Sequence, residues 1–187
     1  VLQFAENLQT NAALVLEGLE LQRVAQKVPK GAEEALVCAW GSPSLHIVNC
    51  RFREYLQLTC VRSNAPNCVL RNCEFLNSVY WTVHLFGKQC VVDNCLAAGR
   101  GLLELDFEMR PDQPDISVQL TRSTLRSQHP LFVQLYPAQP DKFAGKKDAG
   151  RVRFDVSGTV FDATSVVVIN EATPFLARLK PKPEDAK

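Results

Sequence analysis

Seven cysteines, Cys38, Cys50, Cys60, Cys68, Cys73, Cys90 and Cys95, are the most evidently reactive side chains of this 187-residue chain. They could form disulfides or hold a soft metal. An odd number cannot pair completely. The close pairs Cys68/Cys73 and Cys90/Cys95 are five residues apart, whereas zinc sites use ligands two to four apart. His46, His84 and His129 are not spaced to complete such a site. A second group is chemically more promising. His84 lies in the alternating segment YWTVHLF (80–86), and Glu104 and Asp106 lie in GLLELDFEM (101–109). An imidazole beside two carboxylates could perform general acid–base chemistry. Tyr55, Phe86, Gln134 and Tyr136 would flank them with the rings and amides that sugar recognition uses. All of this requires the chain to bring segments some 20–30 residues apart side by side in one phase.

The cysteines show how it could. Cys50, Cys73 and Cys95 are 23 and 22 residues apart, and Cys68 and Cys90 are 22 apart, which reads as a structural repeat. LHIVNCRF (45–52), CVLRNCEF (68–75) and CVVDNCLA (90–97) align without gaps, and LVLEGLEL (14–21), VQLTRSTL (118–125) and FDVSGTVF (154–161) share the frame. Its first, third, sixth and eighth positions are small or apolar throughout. Positions one to three alternate with period two, as a half-buried strand does. Position five holds Gly18, Asn49, Asn72, Asn94, Arg122 and Gly158, and Gly and Asn tolerate a left-handed bend.

After each frame comes a longer alternating strand: LVCAW (36–40), YLQLTCV (55–61), YWTVHLF (80–86), GLLELDFEM (101–109), LFVQLY (131–136) and SVVVIN (165–170). Strand, bend, short strand, turn and longer strand in about 22 residues make one coil. The expected fold is therefore all-β, a right-handed single-stranded parallel β-helix of about six to seven coils with three strands each. Coils would stack roughly 4.8 Å apart, each strand pairing with its equivalent one copy later. A leucine-rich repeat shares the period but needs helical or Leu-rich convex segments, and none lies between these strands. With Trp81, Val83 and Leu85 inward, Thr82, His84 and Phe86 point out. Tyr55, Gln57 and Thr59 point out in the coil before, and Glu104, Asp106 and Glu108, then Phe132, Gln134 and Tyr136, in the coils after.

The VxNCxF-type frame, its Asn bend and its period resemble the right-handed parallel β-helix proteins of the pectin-lyase-like superfamily over residues 14–170. LVLEGLELQ, LRNCEF and VQLTRSTL also resemble β-helix modules found C-terminally in large bacterial proteins, including membrane-bound Ser/Thr kinases. The resemblance implies a polysaccharide lying along the outer face of the longer strands. The enzymes of that superfamily carry Asp pairs with a His, or calcium-binding Asp residues with an Arg or Lys base, and no such motif occurs here. Kinase glycine and catalytic loops are likewise missing. The resemblance suggests a bacterial protein but leaves the compartment open, extracytoplasmic or cytoplasmic.

Charge narrows the partners. With 21 basic against 20 acidic residues there is no field to draw nucleic acid, and no apolar run reaches the roughly 20 residues of a membrane span. No cofactor or metal is expected. Glu104, Asp106 and Glu108 could attract calcium, but alternate residues on one strand face stand about 6.8 Å apart, too far for one ion without loop ligands. Loops at 22–35, 110–115 and 137–151 depart from the frame, and Lys142, Lys146 and Lys147 make the last a candidate partner contact. Residues 1–172 are expected to form one β-helix domain, with 1–13 a partial coil or cap and 173–187 an irregular tail. VLQF (1–4) reads as a strand already under way, so the chain looks like a piece of a longer protein whose strand edges could associate end to end.

The sequence thus supports a non-catalytic β-helix module offering a rigid interaction or carbohydrate-recognition surface: Tyr55, His84, Phe86, Glu104, Asp106, Gln134 and Tyr136. The alternative is a polysaccharide lyase or hydrolase with His84, Glu104 and Asp106 at its centre. The cysteines are expected to be core thiols, not disulfides, because parallel in-register side chains point the same way. Thiol titration of the denatured, unreduced protein should count seven; clearly fewer would contradict this.

Overall fold

The computed structural model describes residues 2–4, 12–22, 35–53, 59–109, 115–137 and 151–171. Among them there is no helix, and the strands, numbered β1–β17 in chain order, form two wholly parallel sheets. The six-stranded sheet contains β2 (Leu14–Glu17), β5 (Ser44–Val48), β8 (Asn67–Arg71), β10 (Gln89–Asp93), β12 (Ile116–Thr121) and β15 (Val152–Ser157), in that spatial order. The eleven-stranded sheet collects β1 (Leu2–Phe4), β3 (Glu20–Gln22), β4 (Ala35–Ala39), β6 (Arg51–Arg53), β7 (Thr59–Ser63), β9 (Glu74–Leu85), β11 (Leu96–Met109), β13 (Thr124–Ser127), β14 (Leu131–Pro137), β16 (Val160–Asp162) and β17 (Val167–Glu171). The expected loops and the residues beyond 171 lie outside the described residues, as does most of 1–13.

The register matches the repeat frame residue for residue. Leu14, Leu45, Cys68, Cys90, Val118 and Phe154 pair in succession across the smaller sheet, as do Leu16, Ile47, Leu70, Val92, Leu120 and Val156. Leu21, Phe52, Phe75, Ala97, Leu125 and Phe161 do the same in the larger one. These columns make the core. Phe52 and Phe75 are fully buried and stacked, with ring centroids 5.0 Å apart. At the edges the columns emerge among the described residues: Leu19 in the first frame, and Val156 and Ile169 at the last strands of the two sheets, are exposed.

All six fifth-position residues have positive φ, between 51° and 67°. A left-handed residue costs roughly 1–2 kcal/mol for most side chains, and Gly and Asn reduce that cost. The asparagines also bond one another: Asn72 Nδ2 donates to Asn49 Oδ1 at 3.0 Å and Asn94 Nδ2 to Asn72 Oδ1 at 2.9 Å. Arg122 ends the ladder and turns instead to the Asp93 carboxylate, at 2.7 Å from Nη2 to Oδ2. That guanidinium, with the Thr121 hydroxyl, holds the Asp93 carboxyl below the usual carboxylate range.

The sixth position wants more than small size. The thiols of Cys50, Cys73 and Cys95 donate to the carbonyl oxygens two residues earlier, Val48, Arg71 and Asp93, at 3.2–3.4 Å. Ser123 and Thr159 donate to the equivalent carbonyls of Thr121 and Ser157. At five of the six bends a short donor therefore adds a second hydrogen bond to a carbonyl that already accepts the preceding repeat's backbone N–H, and Leu19 at the first bend adds none. No disulfide links the seven cysteines, and all seven are buried. Burial pushes the Cys50 thiol up, so it stays neutral.

Asn72 separates the bend from the ladder. Asn72→Gly keeps the left-handed backbone and loses only a rung, whereas Asn72→Ala strains it. The alanine variant should be less stable than the glycine variant by about 1–2 kcal/mol in chemical denaturation. Equal stabilities would show that the bend is not under this constraint.

Candidate functional site

The outer face of β7, β9, β11, β14 and β17 carries two adjacent columns. In the first, Arg62, His84, Glu104, Phe132 and Val168 are register partners in turn. The second contains Asp106, Gln134 and Asn170. Their inward neighbours are Val61, Val83, Leu103 and Leu131, then Ser63, Leu85, Leu105 and Val133, all buried. Alternation on rigid strands thus fixes which side chains reach the outer face.

His84, Glu104 and Asp106 do converge. His84 Nε2 lies 2.8 Å from Asp106 Oδ2, and Nδ1 lies 3.8 Å from Glu104 Oε2. All three are largely buried, with side chains 15%, 16% and 10% exposed. Burial raises the Glu104 carboxyl above its ordinary value, and Asp106 adds to the rise while His84 and Arg62 oppose it. One atom from each residue lies within 4.8 Å of the others, so the trio could hold a metal ion.

Aromatic rings border the trio. Phe86 is exposed, 4.5 Å from the His84 ring and 5.8 Å from Trp40. Arg62 Cζ lies 5.7 Å from the centroids of both Trp40 and Phe86, within cation–π range. On the other flank, Asn170 Nδ2 donates to Gln134 Oε1 at 2.9 Å.

The structure corrects the expected strip in two places. Thr59 is buried, because the phase of β7 is set by Val61 and Ser63 in the core, so Arg62 faces out instead. Counting the 22-residue period back from His84 lands on Arg62, a signal in the sequence that alternation from Tyr55 obscured. Thr82 is buried too, and its hydroxyl donates to the Gly101 carbonyl at 2.8 Å. Here the register slips around Gly99 and Gly101, and the Trp81 indole fills the space where Gly101 would carry a Cβ. Trp81 is buried but lies outside the contiguous core, with its ring 4.8 Å from Phe132. Tyr55 and Gln57 lie outside the described residues, as do the side chains of Glu108 and Tyr136, although the backbones of the last two are register partners.

The raised Glu104 carboxyl has a consequence for stability. In the window just above its ordinary value the folded chain binds more protons than the unfolded one, so stability falls as pH rises through it. Removing the charge removes that loss. In buffer without added metal, Glu104→Gln should raise Tm at pH 7 by roughly 1–4 °C, with the gain vanishing below about pH 4. A lower Tm for the variant at pH 7 would show that His84 and Arg62 outweigh the burial of the charge.

Among the described residues no helix is long and apolar enough to cross a membrane. Compared with known proteins, the chain matches no family model, no curated protein and no solved structure.

Proposed function

We propose that the chain is a right-handed parallel β-helix of pectin-lyase-like architecture that acts as a rigid interaction module and recognises carbohydrate on its outer strand face. The coil reading is supported by the grouping of strands between bends: β5, β6 and β7 in one repeat, and β12, β13 and β14 in another, each followed by its parallel equivalent. Right-handedness follows the strong rule for parallel crossovers in one sheet. In two repeats the second and third strands run together as β9 and β11.

The observation that carries the functional reading is the convergence on one face of exposed Phe86 and half-buried Trp40 and Arg62 with His84, Glu104, Asp106 and Gln134. Sugars present apolar C–H faces to rings and hydroxyls to carboxylates and amides, and both kinds of partner lie side by side here. The strands are rigid, so little ordering cost falls on binding. A protein ligand is the other partner of this face, and end-to-end association would use β15–β17, where Val156, Val160 and Ile169 are exposed.

A second reading is polysaccharide hydrolysis or elimination at the same trio. It is favoured by the proximity of the Glu104 and Asp106 carboxylates, which have oxygens within 4.8 Å of each other beside the His84 imidazole. A screen of polyuronides and neutral glycans tests both. Binding should be saturable without product release, and Phe86→Ala should weaken it at least tenfold, about 1.4 kcal/mol, with Tm unchanged. Product release abolished by Asp106→Asn would establish the enzyme reading instead. No binding to any glycan would refute both.

A further inference from the structure

We propose that His84, Glu104 and Asp106 form a binding site for a divalent cation of the zinc and manganese class. Among the described residues, other polar and thiol groups have their partners. Asp93 is bonded by Arg122 and Thr121 and paired with Arg71, the bend thiols donate to carbonyls, and the Asn ladder satisfies itself. Asp106 differs. Its side chain is nine-tenths buried, Oδ2 meets His84, and Oδ1 is shut off from solvent with no hydrogen-bond donor. A carboxyl oxygen withdrawn from water without a partner is costly, and a cation would satisfy it.

The donor set selects the ion. One imidazole nitrogen and two carboxylate oxygens suit zinc, manganese, cobalt or ferrous iron, whereas calcium and magnesium prefer oxygen alone. Ligands at about 2.0–2.2 Å from a metal stand at most some 4 Å apart, so a set within 4.8 Å closes by a side-chain adjustment of about 1 Å. Glu104 and Asp106 are alternate residues of β11, and His84 is the register partner of Glu104 on β9, so two core-packed strands preposition all three. Three protein ligands leave coordination positions open for an exogenous ligand. Arg62 Nε, on the strand beside His84, is a second buried polar atom without a partner, a donor available to an oxygen carried by the metal. The cation site depends on the trio alone and stands whether or not the face binds sugar.

The test is a Co2+ titration of the untagged full chain, chelator-treated and reduced, followed by visible absorption, with Mn2+ added in parallel to a histidine NMR sample. One Co2+ per chain should bind with ligand-field bands and no thiolate-to-cobalt charge-transfer band. Asp106→Asn and His84→Gln should each weaken it at least about tenfold, while Cys73→Ser leaves it unchanged. Should either variant fail to fold, the wild-type spectra decide: Mn2+ should broaden the ring signals of His84 and spare those of His46 and His129. Absence of stoichiometric binding, a thiolate band, affinity unmoved by both folded variants, or broadening at another histidine would overturn the proposal.

Discussion

A parallel stack of repeats holds only if every repeat returns to the same place, and the left-handed residue at the fifth frame position is where that return is enforced. Six residues share that conformation, from Gly18 to Gly158. Each turns the chain from one sheet to the other at the same step, so each rung falls in register with the next. Every core column then sets its members one above another, so like rings can stack, as Phe52 and Phe75 do. At five of the six bends a carbonyl that accepts the preceding repeat's backbone N–H keeps a second lone pair to fill. The Cys, Ser or Thr that follows does so with its own hydrogen, which explains why one position alternates between residues of different polarity.

The same register governs charge. Like charges opposite one another on neighbouring strands are destabilising, so an ionised column must alternate in sign. Glu20, Arg51 and Glu74 are consecutive register partners and do alternate, with Arg51 Nε 2.6 Å from Glu74 Oε2. Arg126 and Asp162 repeat the pattern. On the outer face the order is Arg62, His84, Glu104, and the adjacent column sets a second carboxylate, Asp106, two residues from Glu104 on the same strand. Asp106 is buried with one oxygen unpartnered, whereas the Asp93 carboxylate is held by Arg122 and Thr121.

The frame was legible because period and phase are carried by a narrow set of residue types: Asn or Gly at five of the six bends, with Arg122 at the other, and small or apolar side chains at the rungs. His84, Glu104 and Asp106 were legible by alternation from the core. Arg62 was not, because alternation through YLQLTCV favours Leu56, Leu58 and Cys60 inward, and it is the pairing of Val61 with Val83 that sets the opposite phase. The burial of Thr82 was hidden for another reason. It follows from Trp81 lying over Gly101, a contact made possible by a register slip that no alternation pattern records. Trp40, just past the end of β4, reaches the site through its contact with Phe86, just past the end of β9 and two repeats away by sequence.

The in-register parallel stack is tested most directly by nuclear Overhauser contacts between side-chain amides in the isotope-labelled protein. The Asn72 amide should show cross-peaks to both Asn49 and Asn94, with none between Asn49 and Asn94. Without the 49–72 and 72–94 contacts, or with a direct 49–94 contact, the repeats could not be stacked in this register.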